Sequence, residues 1–296
     1  MEINYAQQYS QALAQAFPNV LHFGALYNTP NNQIYKVVNG NTIQIPVITT
    51  KGRTDGDRDS IGSFTRRADN AWETKTLSNH RTWETLIHPM DVVQTNQVMT
   101  IQNTTKVYNE EQKFPEMDAY CVSKLYELKV AKDGAQDTTV LTTDNILSVI
   151  DGYMEAMDEA NVPQQGRILY VTPAVNTLIK NAKDIQRSID LKDGNKAITR
   201  QISRIDELTI EPSVPSGLMK TAYDFTEGCV VGDTAKQINM MLVHPWCVMT
   251  PTNYTFAQVG APSALTKGKW VYFEESFEDV FILNTRSAAL RFNVEA

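Results

Sequence analysis

The segment from Asn145 to Ala182, NILSVIDGYMEAMDEANVPQQGRILYVTPAVNTLIKNA, constrains the fold more than any other part of the chain. Thr143 or Asp144 is placed to cap a helix whose apolar face is Ile146, Val149, Ile150, Tyr153, Met154 and Met157. Val162-Pro163 marks a turn, and Ile168 to Val171 is an apolar run of strand length. Thr172-Pro173 then sets a capping hydroxyl before a proline at the first helical position, which starts a second helix bearing Val175, Leu178 and Ile179. Helix, buried strand and helix form one packed unit.

The elements around this unit do not alternate with a βαβ rhythm. Phe114 to Val130 reads as a helix with Pro115 in its first turn and an apolar face of Met117, Tyr120, Cys121, Leu125 and Leu128. Asp133 to Asp137, with Gly134, breaks it. From Ile198 onward strands are expected at Ile198–Arg204, Glu207–Ile210, Ile238–Val243, Trp270–Glu274, Asp279–Leu283 and Ala289–Val294, with a turn at Gly232-Asp233. The pattern predicts an α+β fold, and 296 residues suffice for one large domain or two smaller ones.

Two segments carry too little apolar surface to bury themselves. Residues 1–39 read as an arm, with Tyr5, Tyr9, Leu13 and Phe17 on one helical face, a stop at Pro18 and a polar loop at Tyr27–Gln33. Such an arm should lie on the body or on a neighbour. Thr42–Thr49 alternates as a strand, and Trp72–Ile87 reads as its partner. Between them lies KGRTDGDRDSIGSFTRRADN, whose length without any period points to a job of its own. A long hairpin with a charged tip accounts for all three pieces.

Chemical constellations are weak throughout. Asp55, Asp57 and Asp59 start like a calcium loop, but Ser60 stands where glycine is needed and Arg66 where the bidentate glutamate belongs. His22, His80, His88 and His244 fall in separate segments without metal-ligand spacing, and no HExxH occurs. Gly62-Ser63-Phe64 lacks the second glycine of a nucleophile elbow, and Gly228–Lys236 (GCVVGDTAK) lacks the GKS or GKT of a phosphate loop. Cys121, Cys229 and Cys247 are far apart and odd in number, so reduced buried thiols are expected. Neither a catalytic residue nor a cofactor or metal site is predicted.

Composition narrows the class. An apolar fraction of 42% and a charged fraction of 21% exclude a disordered chain, and no run reaches the roughly 20 apolar residues of a membrane span. The start MEINY has neither a basic leader nor an apolar signal core, which predicts a protein made and used in a cytoplasm. A net charge of -7 argues against a general nucleic-acid binder, though not against a container whose acidic wall lets DNA slide. Arg53, Arg58, Arg66 and Arg67 at the hairpin tip face an opposite cluster near the C-terminus, Glu274, Glu275, Glu278 and Asp279. These eight are the candidate inter-subunit contacts, tip arginines of one copy meeting acids of another. The plainer reading is two solvated surfaces.

Several segments together resemble a known family. Arg81–Thr95 (RTWETLIHPMDVVQT), Pro115–Leu125 (PEMDAYCVSKL), VPQQGRILYVTP from Val162, IEPSVP from Ile210, INMMLVHP from Ile238 and the ending VYFEESFEDVFILNTRSAAL resemble the tailed-phage major capsid proteins of the Hong-Kong-97 type. Order and spacing carry the resemblance over about two-thirds of the chain. It implies an N-terminal arm at 1–39, an extended hairpin at 40–92, a peripheral domain with a spine helix at 93–135 and 249–296, and an axial domain at 136–248. It further implies hexamers and pentamers in an icosahedral phage head around double-stranded DNA held without sequence specificity. A separate scaffolding protein is expected, since no long helical segment precedes the arm, together with a portal protein and assembly in the host bacterial cytoplasm. The crosslinking residues of some members have no match here, so shell strength would rest on interface area or a decoration protein. Two alternatives stay open: an encapsulin-type shell around protein cargo, and an α+β hydrolase with a mobile loop at residues 51–70.

Overall fold

The computed structural model describes residues 18–55, 62, 66–95, 99–183 and 202–296. The predicted helix at Tyr5–Phe17, the strand residues 198–201 and the acidic positions Asp57 and Asp59 lie outside them.

A five-stranded sheet stands at the centre. Its order is β15 (Leu290–Val294), β10 (Ile238–Val243), β5 (Ile168–Val171), β7 (Leu208–Ile210) and β6 (Arg204–Ile205). The β5–β7 pair is parallel and the other pairs are antiparallel. Because successive side chains point to opposite faces, each strand feeds two cores. Ile168, Tyr170, Met241, Val243 and Phe292 join one of them, together with Cys121, Val122 and Leu125 of the long helix α4 (Phe114–Asp133). Leu169, Val171, Met240 and Leu242 join the other, against Ile146, Ile150 and Met157 of α5 (Ile146–Glu159) and Val175 and Ile179 of α6 (Pro173–Lys180). Cover on both faces explains why Ile168–Val171 is an unbroken apolar run.

Local signals set the ends of these elements. Thr172 caps α6, its Oγ1 accepting from the Val175 N–H at 3.5 Å, with Pro173 in the first turn. At α5 the cap position belongs to Asn145, not to Thr143 or Asp144: the Asn145 amide spans the preceding turn, accepting from the Thr142 N–H and donating to the Val140 carbonyl. Gly134, at φ 81°, ends α4 in a conformation that glycine adopts without a Cβ clash.

The long helix departs from its prediction in two ways. It does not begin at Phe114, because α3 (Ile101–Tyr108), which follows the short α2 (Pro89–Gln94), runs into it through a π turn at Asn109–Lys113. The π turn shifts the hydrogen-bond ladder next to Pro115, where a proline would otherwise break it. Its buried face shares Cys121 and Leu125 with the expected one but adds Asp118 and Lys129. Both charges are partnered. Lys129 Nζ donates to Asp133 and to the Ser287 carbonyl, and Asp118 accepts the backbone N–H groups of His22 (2.9 Å) and Phe23 (3.1 Å).

Asp118 thereby holds the chain that leads in from Pro18. Phe23 and Leu26, flanking and within the short helix α1 (Gly24–Tyr27), are fully buried, and the Phe23 ring lies 4.6 Å from that of Tyr170. This half of the predicted arm lies on the body. Burial lifts the Asp118 carboxyl to about 6, against the two N–H donors that favour its charge. The folded carboxyl thus keeps its proton at a higher pH than the unfolded one, so stability falls as pH rises from about 4 to 6 and levels off above. Asp118→Asn is expected to flatten that decline, as read from urea midpoints between pH 4 and 7.

The remaining strands form two ribbons. In one, β1 (Lys36–Asn39), β2 (Thr42–Thr50) and β3 (Ala68–Thr76) lie side by side, and β2 and β3 stay in register from Thr42↔Thr76 to Thr50↔Ala68. Pro46 sits beyond the reach of β1, at an open edge that does not need its missing N–H. In the other, β4 (Asn79–Ile87), β13 (Trp270–Glu278) and β12 (Thr252–Gly260) pair in the order β12-β13-β4. The predicted single strand Trp72–Ile87 is therefore two strands. Its break lies at Leu77-Ser78, where Leu77 drops into a small core with Ile43, Ile45, Met249 and Phe281 and Ser78 donates twice to Asp279. The late strands shift accordingly. β13 runs on to Glu278, the 279–283 stretch keeps only β14 (Phe281–Ile282) beside β11 (Val248–Met249), and the last strand starts at Leu290. Short β8 (Tyr223–Asp224) and β9 (Val230–Val231) complete the list, the latter followed by the predicted turn, in which the Ala235 N–H reaches the Gly232 carbonyl.

Candidate assembly surface

Ribbon β2–β3 is buried only at its base. Ile43 and Ile45 anchor it, whereas Ile48 and Trp72 are 73% and 50% exposed. A ribbon of two strands with both faces open gains little from its own contacts and is marginal alone. Its apolar side chains gain burial only from another surface. Sheet β12–β13–β4 has the same character, with Leu86, Tyr254, Phe256 and Val259 exposed.

At the hairpin tip, among the described residues, Arg66 and Arg67 bond within their own hairpin. Arg66 Nε donates to the Ala68 carbonyl at 2.8 Å and its guanidinium lies 3.7 Å from Asp69, both side chains being largely exposed. Arg67 donates to the Gly52 carbonyl and to Thr54 Oγ1. Arg53 is exposed, and Arg58 lies outside the described residues.

Of the four acids, Asp279 is placed otherwise than the sequence suggested. Asp279 is 2% exposed and surrounded by donors. Its Oδ1 accepts from the Tyr120 hydroxyl (2.8 Å) and the Val280 N–H (2.8 Å), and its Oδ2 from the Ser78 N–H (2.8 Å) and hydroxyl (3.0 Å). It is a joint inside the subunit and not a surface contact. Glu274 lies 3.0 Å from Lys113 and accepts from the Tyr272 hydroxyl at 2.7 Å. Glu275 meets His80 at 2.7 Å, and the His80 ring stacks on Phe277 with centroids 3.9 Å apart. Burial pushes the Glu278 carboxyl up, with Lys113 and Arg81 pulling the other way. The bases come from β4 and the helix, whose contribution sequence spacing does not show: Arg81 lies 2.6 Å from Glu116. The acidic cluster is thus a seam that welds β4 and β13 to the helix, with Glu275 at its rim.

Other candidate groups have structural work. His88 and His244 accept backbone N–H groups from Met90 and Trp246 at the starts of their helices. Burial holds the thiols of Cys229 at about 11 and Cys247 at about 12, and raises Cys121 as well. A thiolate nucleophile needs the opposite shift. Cys229 is only half-buried, unlike the other two. Among the described residues no group of His, Cys, Asp and Glu could hold a metal ion, and no helix is long and apolar enough to cross a membrane.

Sequence reasoning assigned no role to Arg167, which is 2% exposed. Its guanidinium donates to the carbonyls of Val162 (2.7 Å) and Pro163 (3.0 Å) and pairs with Asp158 at 2.5 Å. It ties the end of α5 to the turn that feeds β5, supplying a cation where the helix carbonyls are unpaired. The signal was present, in the arginine between Pro163 and the strand, but its partners at Asp158, Val162 and Pro163 follow no recognisable pattern.

No protein-family model matches the sequence, and no curated protein matches it. Solved structures do match. The capsid structure of the cyanophage P-SCSP1u superposes with a TM-score of 0.67 at 12% identity, covering 96% of this chain and 90% of that one. The mature capsid of bacteriophage PhiM1 gives 0.61 at 13%, covering 86% and 82%. The chain has the Hong-Kong-97-type capsid fold. A structure from Mycobacterium phage Che8 matches at 0.62, 12% identity and 95% and 93% coverage. The Hong-Kong-97-type resemblance of scattered segments was thus a reading of the fold, carried by order where identity is too low to carry it.

Proposed function

We propose that this chain is the major capsid subunit of a tailed phage, assembling as hexamers and pentamers into an icosahedral head around double-stranded DNA. The observation that supports it most is two-way coverage: the chain and the cyanophage capsid chain correspond over 96% and 90% of their lengths. The open ribbons agree with it, since a subunit that interlocks with neighbours must carry surface it cannot bury alone. Residues 93–135 with 249–296 would form the peripheral domain, with α4 as spine helix, and 136–248 the axial domain. A scaffolding protein, a portal and a decoration protein are its expected partners, and the phage head its location. Co-expression with a scaffolding protein followed by electron microscopy tests the reading. Closed shells that contain double-stranded DNA after infection support it. A chain that stays monomeric with scaffold, or shells filled with protein cargo, overturns it.

The tip arginines Arg53, Arg66 and Arg67 remain proposed inter-subunit contacts, with acids other than Asp279 as partners. Charge reversal, Arg66→Glu with Arg67→Glu, is expected to cut shell yield at least tenfold, roughly 1.4 kcal/mol per subunit contact. The folded monomer should melt unchanged, because both side chains are exposed and, among the described residues, bond within their own hairpin. Wild-type yield by sedimentation would remove the arginines from the interface.

A further inference from the structure

The hairpin that joins β1 to β2 turns at Asn39-Gly40-Asn41, and of the chain's asparagines Asn39 alone is followed by glycine. That dipeptide suits a tight hairpin. It is also the pair in which an asparagine carboxamide is most open to attack by the next backbone nitrogen, because glycine brings no Cβ into the path. Three observations leave this pair free to react. Asn39 and Gly40 are exposed, and nothing packs within 4 Å of where a Gly40 Cβ would stand. Neither the Asn39 carboxamide nor the Gly40 N–H has a hydrogen-bond partner among the described residues. The Asn39↔Thr42 pair follows a bulge between Val37 and Asn39, so the ladder holds Asn39 loosely. A fourth observation favours the chemistry itself. Asn253 Nδ2, from β12, donates to the carbonyls of Asn39 (3.3 Å) and Gly40. A donor on the Asn39 carbonyl draws electrons out of the Asn39–Gly40 peptide and makes the Gly40 N–H more acidic.

We propose that Asn39-Gly40 is a self-modifying site, at which the folded chain turns Asn39 into aspartate and isoaspartate without an enzyme. The Gly40 N–H gives its proton to solvent, and the nitrogen bonds to Asn39 Cγ. The Cγ–Nδ2 bond breaks, and the amide nitrogen leaves as ammonia with a proton returned from solvent, closing a cyclic imide. Water then opens the imide. Cleavage at Cγ gives an aspartate, whereas cleavage at the main-chain carbonyl routes the backbone through Cγ as isoaspartate. One water enters, one ammonia leaves, and nothing is oxidised or reduced. Isoaspartate lengthens the main chain by one carbon inside the turn and leaves a carboxylate there. The two carbonyls that Asn253 bridges are then set on separate branches, which releases the turn of the inner ribbon from the outer sheet. The inference concerns one chain and does not rest on the shell reading.

Ageing the full chain tests it. The protein is held folded at about pH 6 and about pH 8, and in parallel unfolded in urea, then digested and mapped by mass spectrometry. In the folded chain the peptide containing Asn39 is expected to show an NH₂-to-OH exchange split between two eluting isomers, at least about tenfold faster at the higher pH because the anionic nitrogen is the nucleophile. The peptides containing Asn79 and Asn253 are expected to stay intact. Gly40→Ala, for which the turn has room, is expected to slow the reaction severalfold or more, folded and unfolded alike. An Asn39 that reacts only in the unfolded chain, or no faster than Asn79 in the folded one, overturns the proposal. Hydrogen exchange reads the consequence. Aged protein enriched in isoaspartate is expected to exchange residues 42–44 about tenfold faster than Asn39→Asp, which carries the charge on an unaltered backbone. Equal exchange in the two overturns the release of the turn.

Discussion

Replacing Asp279 with alanine is expected to destabilise the folded chain by about 4 kcal/mol, the largest single effect among the acidic residues. The carboxylate accepts from four donors, the Ser78 N–H and hydroxyl, the Tyr120 hydroxyl and the Val280 N–H. Removing it strands donors in a place that is 2% exposed, where each unmatched group costs about 1–3 kcal/mol. The damage should be local first. Ser78 is the pivot between β3 and β4, so the hairpin base with Ile43, Ile45 and Leu77 should loosen before the central sheet. Asp279→Asn keeps one oxygen for two of the donors but turns an NH₂ toward the others, and should recover less than half of the loss. Urea unfolding of the unassembled chain, with hydrogen exchange on residues 41–50, reads both effects. A stability loss below about 1 kcal/mol would show that the joint is solvated in solution.

The second large effect belongs to Arg167. Arg167→Ala should cost about 2–4 kcal/mol, because it strands carbonyl acceptors beside a buried guanidinium at about 1–3 kcal/mol for each unmatched group. Here the carbonyls of Val162 and Pro163 lose their donor along with Asp158. Arg167→Lys separates charge from geometry. A lysine keeps the pairing with Asp158 but cannot fork to the carbonyls, so most of the loss should persist. A melting temperature lower by about 10 °C for alanine, and only slightly higher for lysine, is the expected order. Equal stability of lysine and wild type would mean that charge alone suffices.

These two residues also mark where the sequence is legible and where it is not. Ile168–Val171, Thr172-Pro173 and Ile238–Val243 were readable because their signals are local: an apolar run, a capping hydroxyl before a proline. The break at Ser78 was not, because the group that imposes it lies 201 residues away in Asp279. Likewise, alternation runs through Trp72–Ile87 whether the chain is one strand or two. β12 escaped notice because its apolar alternation, Tyr254 and Phe256, is cut short by Gln258 and is too brief to stand out. The acids looked like a surface cluster because sequence shows like charges together but not Lys113, His80 and Tyr120 brought in from other elements. The capsid fold emerged from the order of weakly matching segments, whereas the side-chain joints that hold it emerged only in three dimensions.

The π turn at Asn109–Lys113 has a bearing on how the helix could be re-cut. It behaves as one surplus residue, and each helical residue advances the side chains by about 100°. Deleting a single residue there would straighten the ladder and swing everything upstream through that angle. Tyr108, now stacked on Trp83 with centroids 3.8 Å apart, would leave its ring partner, and Ile101 would turn from the groove it lines with Val259. The surplus residue acts as a phase shifter: one continuous rod addresses the central sheet at one end and the outer sheet at the other, each with its own side.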